Sequence, residues 1–418
     1  MSHDLVPVHG GLSEPVDRTV PLSDRKALRE EAAPLPSVEV SRADLSTVHR
    51  IADGTLSPLE GPMGESAWQR ALDETTILSQ GKAYAWGIPL SLPASDAEAD
   101  ALTAGGSTAL RDEDGELVGI LDETEVFDWD KPKYVHGVYG TERFDHPGGR
   151  MVEEDPRRRL LGGTLRVLPQ KARPEWGAPL SSPRMTRQLI RERKWKRALA
   201  FQTRNPLHRA HEYALVAGVE RLTREGHFTG VVLNPLVGVL KGDDVNAEVR
   251  MRCYRTLHDH GLLGKGDKDE ALWAAAGYDI SDVFEVIPLD IKMFYGGPKE
   301  AVMHAVYRQN HGFSDLVIGR KHADAPFEDR SPIWGDFDAQ AIFDSLAGGL
   351  YLRPCKIGFA AFYESLGRVD LMENHPDKKP FAISGTQVRE QLKNGKRPDP
   401  RILRPEIADI LIEAYTGA

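Results

Sequence analysis

Residues 202–211 read Gln-Thr-Arg-Asn-Pro-Leu-His-Arg-Ala-His. Two histidines, two arginines and two amides within ten positions suit the binding of anions. His208 and His211 stand three apart, so on a helix they share one face. Arg204 carries a planar fork of donors that fits an oxyanion. Gln202 and Asn205 add amide donors, and no acidic side chain interrupts the run before Glu212. A histidine pair at this spacing is by itself a common structural feature. Its setting distinguishes this one: an apolar run at 197–201 precedes it, and apolar residues at helical spacing follow from 207 to 224. The segment therefore lies between a strand's end and a helix's start. Unpaired backbone N–H groups and the positive dipole end favour phosphate there.

Two further clusters carry similar chemistry. Residues 319–324 read Gly-Arg-Lys-His-Ala-Asp and follow a short apolar run at 315–318. Gly319 lets the backbone approach a ligand closely, while Arg320 and Lys321 add positive charge. Residues 383–389 read Ile-Ser-Gly-Thr-Gln-Val-Arg and open a predicted helix, with Ser384 or Thr386 as its cap. No Ser-His-Asp set and no catalytic carboxylate pair stands out. The chemistry that these residues can perform is positioning and charge neutralisation.

The elements that must hold these clusters follow from periodicity. Strands are predicted at 197–201, 230–237, 283–289 and 315–318, and helices at 207–224, 247–258 and 297–310. Such alternation implies a parallel sheet with right-handed crossovers, whose ligands bind beyond the strands' carboxyl ends. Upstream, 1 to about 171 is read as mixed and mostly β, with strands at 83–92, 117–121 and 133–138 and helices near 41–51 and 65–71. Prolines between 172 and 184 suit a linker. The tail from 333 is less regular and closes on a predicted helix at 405–414.

Composition narrows the classes. A chain of 418 residues holds two or three domains. Its net charge of -10 argues against nucleic-acid binding, although a local basic cluster can still take anionic substrates. Two cysteines, Cys253 and Cys355, build neither a disulfide framework nor a four-cysteine zinc site. With no apolar leader and no stretch near the ~20 residues of a membrane span, a cytoplasmic setting is expected.

Together these residues resemble the ATP sulfurylase (sulfate adenylyltransferase) family. Residues 202–205 match its Gln-x-Arg-Asn motif, 206–211 continue it as Pro-x-His-x-x-His, and 383–386 match Ile-Ser-Gly-Thr. The segments at 7–12 (PVHGGL) and 53–63 (DGTLSPLEGPM) look like the family's opening. The resemblance implies an α/β architecture: a β-rich PUA-like N-terminal domain (1–171), a nucleotidylyltransferase domain with a Rossmann-like parallel sheet (172–332), and a small C-terminal α/β region (333–418). It implies catalytic roles for Thr203, Arg204, Asn205, His208 and His211. Sulfate is expected at Gln202, Arg204 and Ala323. ATP is expected along the first motif (Gln202, Thr203, Arg204, Asn205, His208 and His211) and at Gly319, Arg320, Lys321 and His322. The reaction implied is transfer of the adenylyl group of ATP to sulfate, giving adenosine 5′-phosphosulfate (APS) and pyrophosphate, or the reverse as in sulfur oxidation. Mg²⁺ would travel with ATP or pyrophosphate. No zinc, nucleic acid or membrane partner is expected, nor a fused APS-kinase-like domain. A homo-oligomer is implied, with a dimer favoured.

The chain departs from the family at its third cluster. The usual pattern is Gly-Arg-Asp-His-Ala-Gly; here Lys321 replaces the Asp and Asp324 the Gly. An adenylyltransferase with another small anionic acceptor shares the histidine pair and the Ile-Ser-x-Thr motif, and a catalytically inactive relative shares the fold. Sulfate-dependent pyrophosphate release separates them.

Overall fold

Strand β1 (Ser37–Val40) alternates exposed and buried side chains, so Val38 and Val40 face a core while Ser37 and Glu39 face water. The computed structural model describes residues 5–177, 180–238, 245–381 and 383–417; part of the expected linker, 178–179, lies outside them. In the N-terminal part, β1 joins β2 (Leu92–Ala94), β3 (Thr108–Asp112), β4 (Leu117–Asp128) and β5 (Arg159–Val167) in one sheet ordered β1-β3-β4-β5-β2. Only the β1–β3 pair is parallel.

Two expectations for this region need correction. Residues 133–138 are not a strand: they lie within helix α1 (Lys131–Tyr139). Asp130 caps it by accepting the Lys133 N–H at 3.0 Å, and Pro132 sits in its first turn. Tyr134, Val135, Val138 and Tyr139 then form one buried stripe at helical spacing. The expected strand at 83–92 survives only as Lys82–Ala85, paired with Thr76–Ser79, and as β2. Between them Gly87 passes against the Lys299 carbonyl; a Cβ there would lie 1.9 Å from that oxygen, so only glycine fits.

The second half is built on the predicted alternation. Strands β6 (Arg197–Thr203), β7 (Thr229–Pro235), β8 (Phe284–Val286), β9 (Asp315–Ile318) and β10 (Arg353–Lys356) form an all-parallel sheet ordered β8-β7-β6-β9-β10. Its central strands are buried on both faces, which is why they read as uninterrupted apolar runs. Helices α2 (Arg209–Arg224), α3 (Ala247–Asp259) and α4 (Gly297–Asn310) cross over between strands. The chain adds strands on one side of β6 and then returns to add β9 on the other. That reversal is a topological switch point, the place beyond the strands' carboxyl ends where ligands of such sheets bind.

Helix α4 is buried on every side from Glu300 to Asn310. Ala301 and Ala305 belong to the core of the parallel sheet, whereas Met303, Val306 and Tyr307 belong to that of the N-terminal domain. Beyond β10, a hairpin (Ala360–Tyr363 with Arg368–Leu371), helix α5 (Gly385–Lys393) and helix α6 (Pro405–Thr416) complete the chain. Among the described residues no helix is long and apolar enough to cross a membrane.

Candidate active site

Gln202 and Thr203 end β6, and the loop from Arg204 carries the chain into α2. Its backbone is pinned from several directions. Thr203 Oγ1 donates to the Asn205 carbonyl at 2.9 Å, and the Tyr254 hydroxyl donates to the same oxygen at 2.9 Å. Buried Arg250 donates to the carbonyls of Arg204 (3.0 Å) and Leu236 (2.6 Å). The loop therefore presents its side chains from a fixed frame, as a site needs.

His208 is the N-cap of α2, its Nδ1 accepting the His211 N–H at 3.4 Å. The two rings stack with centroids 3.8 Å apart. Burial, and then the neighbouring ring, pushes the His208 imidazole down to about 3; packing lowers His211 as well, although His211 is exposed to solvent. Both rings are thus neutral at pH 7, and they stand together at a helix N-terminus without mutual repulsion.

Gln202 and Arg204 share a feature. Gln202 Oε1 and Arg204 Nη1 are buried and have no hydrogen-bond partner. Buried polar atoms are almost always satisfied, so two such atoms, two residues apart at a strand's carboxyl end, point to a ligand. The Arg204 guanidinium also lies 5.5 Å from the centroid of the Tyr295 ring. Tyr295 has φ of 56°, a conformation costly for a bulky side chain.

The second loop leaves β9 beside it. Arg320 stacks on Phe359 at 4.2 Å and lies 3.4 Å from Asp336, which Lys321 also faces at 3.7 Å. Lys321 (φ 49°) and Ala323 (φ 56°) are both left-handed. They are held by the Lys321 N–H on the Asp336 carbonyl (2.8 Å) and the Gly297 N–H on the Ala323 carbonyl (3.1 Å). His322 points inward. Its Nε2 is 2.9 Å from His304 Nδ1, and His304 Nε2 is 3.3 Å from Gln202 Nε2. His304 therefore bridges the two loops. Glu300, one turn earlier, lies 3.4 Å from His304 Nε2 and accepts the N–H groups of Phe294 (3.0 Å) and Gly296 (2.9 Å), on either side of Tyr295. Burial pushes its carboxyl up to about 7, against the pull of those two donors, His322 and Arg204.

Not every predicted residue joins this cluster. Ser384 caps α5 through a reciprocal pair with Gln387, its hydroxyl accepting the Gln387 N–H at 3.2 Å. Its hydrogen bonds stay within that first turn. Asn205 and Gly319 sit on the two loops, with the Asn205 side chain exposed. Sequence reasoning missed Tyr295, Arg250, Glu300 and His304. The signal available for the last two was an acid and a histidine, four apart, in an otherwise apolar stretch. Among the described residues, no three His, Cys, Asp or Glu side chains cluster as metal ligands.

Comparison with known proteins identifies the family of the chain. The ATP-sulfurylase family model matches residues 180–414, and a PUA-like domain model matches 6–170. The sulfate adenylyltransferase of Pyropia yezoensis is 49% identical over 414 residues, covering 98% of this chain and 97% of that protein. The sulfate adenylyltransferase of Synechococcus sp. (strain JA-3-3Ab) is 35% identical, covering 99% and 98%. A solved structure described as a hexameric APS kinase from Thiobacillus denitrificans superposes with a TM-score of 0.71 at 19% identity, covering 97% of this chain and 68% of that one; at that identity the likeness is one of fold.

Proposed function

This chain belongs to the ATP-sulfurylase family and has the activity of a sulfate adenylyltransferase, an ATP-dependent nucleotidyltransferase, and from that premise we propose how its residues divide the work. Gln202 and Arg204 hold sulfate, with Ala323 closing on it from the second loop. Asn205, His208 and His211 hold the ATP phosphates at the start of α2, and Gly319, Arg320, Lys321 and His322 flank the nucleotide. Thr203 serves through the loop's shape. The observation that carries this division is the buried, unpartnered donor Arg204 Nη1 beside the buried amide end of Gln202, next to a helix N-terminus.

Sulfate is ionised at neutral pH and needs no general base. One of its oxygens attacks the α-phosphorus of ATP in line; the bond from that phosphorus to the bridging oxygen breaks, and pyrophosphate leaves. The catalytic work is orientation and stabilisation of developing charge. Neutral histidine N–H groups and the helix terminus supply donors to the phosphate oxygens. Mg²⁺ enters with ATP as part of the substrate, bound by phosphate oxygens and water. Lys321, where the family usually has Asp, turns its ammonium toward Asp336, so its backbone rather than its charge borders the nucleotide.

The test is Arg204→Ala. Loss of one such donor set lowers turnover on the order of a hundredfold or more, read as sulfate-dependent pyrophosphate release, with the melting temperature retained. Near-normal pyrophosphate exchange in that variant overturns the assignment. We further propose a cytoplasmic homo-oligomer with a dimer favoured. Two buried free thiols, Cys253 and Cys355, support a reducing setting, and light scattering of the purified protein tests the assembly.

A further inference from the structure

The amide of Gln202 meets a chain of three buried or half-buried groups: His304 and Glu300, to which no part of the reaction has been given, and His322 beyond them. Glu300 and His304 are each 1% exposed. The two ends of a side-chain amide fill nearly the same space, so the proton on the facing imidazole decides which end turns toward it. With the amide nitrogen toward His304, Gln202 Oε1 is left buried and unpartnered, and a carbonyl oxygen would face an incoming anion. That arrangement repels sulfate. Turning the amide over puts Oε1 on His304 and its NH₂ toward the anion, which requires His304 to carry its proton on Nε2.

We propose that Glu300 is a positioning residue that selects this tautomer, so that His304 Nε2–H holds Gln202 Oε1 and Gln202 presents only N–H donors to sulfate. The geometry supports it at each link. The Glu300 carboxylate is an acceptor at both oxygens, taking the Phe294 and Gly296 N–H groups, and its Oε1 faces His304 Nε2 at 3.4 Å. A carboxylate in that place favours a proton on the facing nitrogen. His304 Nδ1 is then an acceptor and takes the Nε2–H of His322 at 2.9 Å. In this state both ring nitrogens of His304 and the Gln202 Oε1 have partners, and Gln202 and Arg204 converge on the anion as donors alone.

The inference rests on the assignment of Gln202 to sulfate, and the experiment separates the two. Steady-state KM values for sulfate and MgATP are measured at pH 8 for the wild type, Gln202→Ala, Glu300→Gln and the double variant. Gln202→Ala should raise the sulfate KM about tenfold or more, the loss of a hydrogen bond to a charged group. If it does not, the sulfate assignment fails. Glu300→Gln should raise the sulfate KM about tenfold while leaving that of ATP within about twofold, and should add little on the Gln202→Ala background. A sulfate KM unmoved by Glu300→Gln, equal rises in both KM values, or full additivity in the double variant overturns the role of Glu300. Should Glu300→Gln fail to fold, His304 decides: His304→Gln, which keeps an N–H donor, should retain the sulfate KM, and His304→Leu should lose it. Equal behaviour of these two overturns the proposal.

Discussion

Arg204 Nη1 and Gln202 Oε1 lie buried without partners, and such atoms destabilise a folded chain by about 1–3 kcal/mol each. An anion that accepts from Arg204 Nη1 removes the cost of that atom, turning the Gln202 amide over toward His304 removes the other, and the anion binds the native state alone. Sulfate, or molybdate as its mimic, should therefore raise the melting temperature. At a hundred times its Kd a single-site ligand adds about 2.7 kcal/mol, a shift of several degrees by calorimetry. Arg204→Ala should abolish the shift, and retention of the full shift would remove the anion from this place. Much of the candidate site was legible because 202–211 is contiguous: one strand end, one loop and one helix start carry its side chains. Its support was not. His304 meets Gln202 from 102 positions away, on a helix with no polar face to mark it. The left-handed Tyr295 that faces Arg204 has no sequence signature either, since nothing about a tyrosine announces positive φ.

On the proposed division of the site, helix α2 holds His208 and His211 against the phosphates, and its first turn is anchored by the C-terminal region. Arg404 donates to both carboxylate oxygens of Glu212 at 3.0 and 2.8 Å, and both side chains are buried. Arg209 donates to Asp267 and also reaches the carbonyl of Pro400, while its N–H meets Ile402. Arg404→Leu leaves Glu212 buried and uncompensated, which should cost about 3–5 kcal/mol and raise the KM for ATP more than that for sulfate. Restoring neutrality with Glu212→Gln should recover most of the loss in stability, as thermal melts will report. If the single variant melts like wild type, the pair does not anchor the helix. At this scale the parallel half was readable because strands covered on both faces are apolar throughout. Residues 131–139 misled because Tyr134, Val135 and Val138 lie close enough together to pass for a strand; the capping Asp130 and the first-turn Pro132 were the stronger signals.

Across the whole molecule, the two halves meet through histidines that burial keeps neutral. His9 Nε2 lies 2.9 Å from the Ala85 carbonyl and its N–H donates to Asn310 Oδ1; burial pushes its imidazole down to about 4. His311 bridges Thr55 (3.1 Å) and Thr186 (3.0 Å), and burial holds it well below its ordinary value. The unfolded chain takes up a proton at each as pH falls through about 6.5, and the folded chain does not until far lower. Stability is therefore full above that value and falls as the medium is acidified. Each group contributes up to about 1.4 kcal/mol per pH unit. The melting temperature should decline between pH 6.5 and 4.5, and His311→Gln should decline less steeply; an identical slope would clear His311 of the effect. Helix α4 sets a different constraint. Because one of its faces completes the catalytic core and the opposite face completes that of the PUA-like domain, neither half owns it. A catalytic fragment expressed alone would carry Met303, Val306 and Tyr307 as a sticky stripe. Recombination that exchanged the first 170 residues for an unrelated module would have to supply a matching cradle at the same stroke. The two halves are obliged to be inherited, and engineered, as one piece.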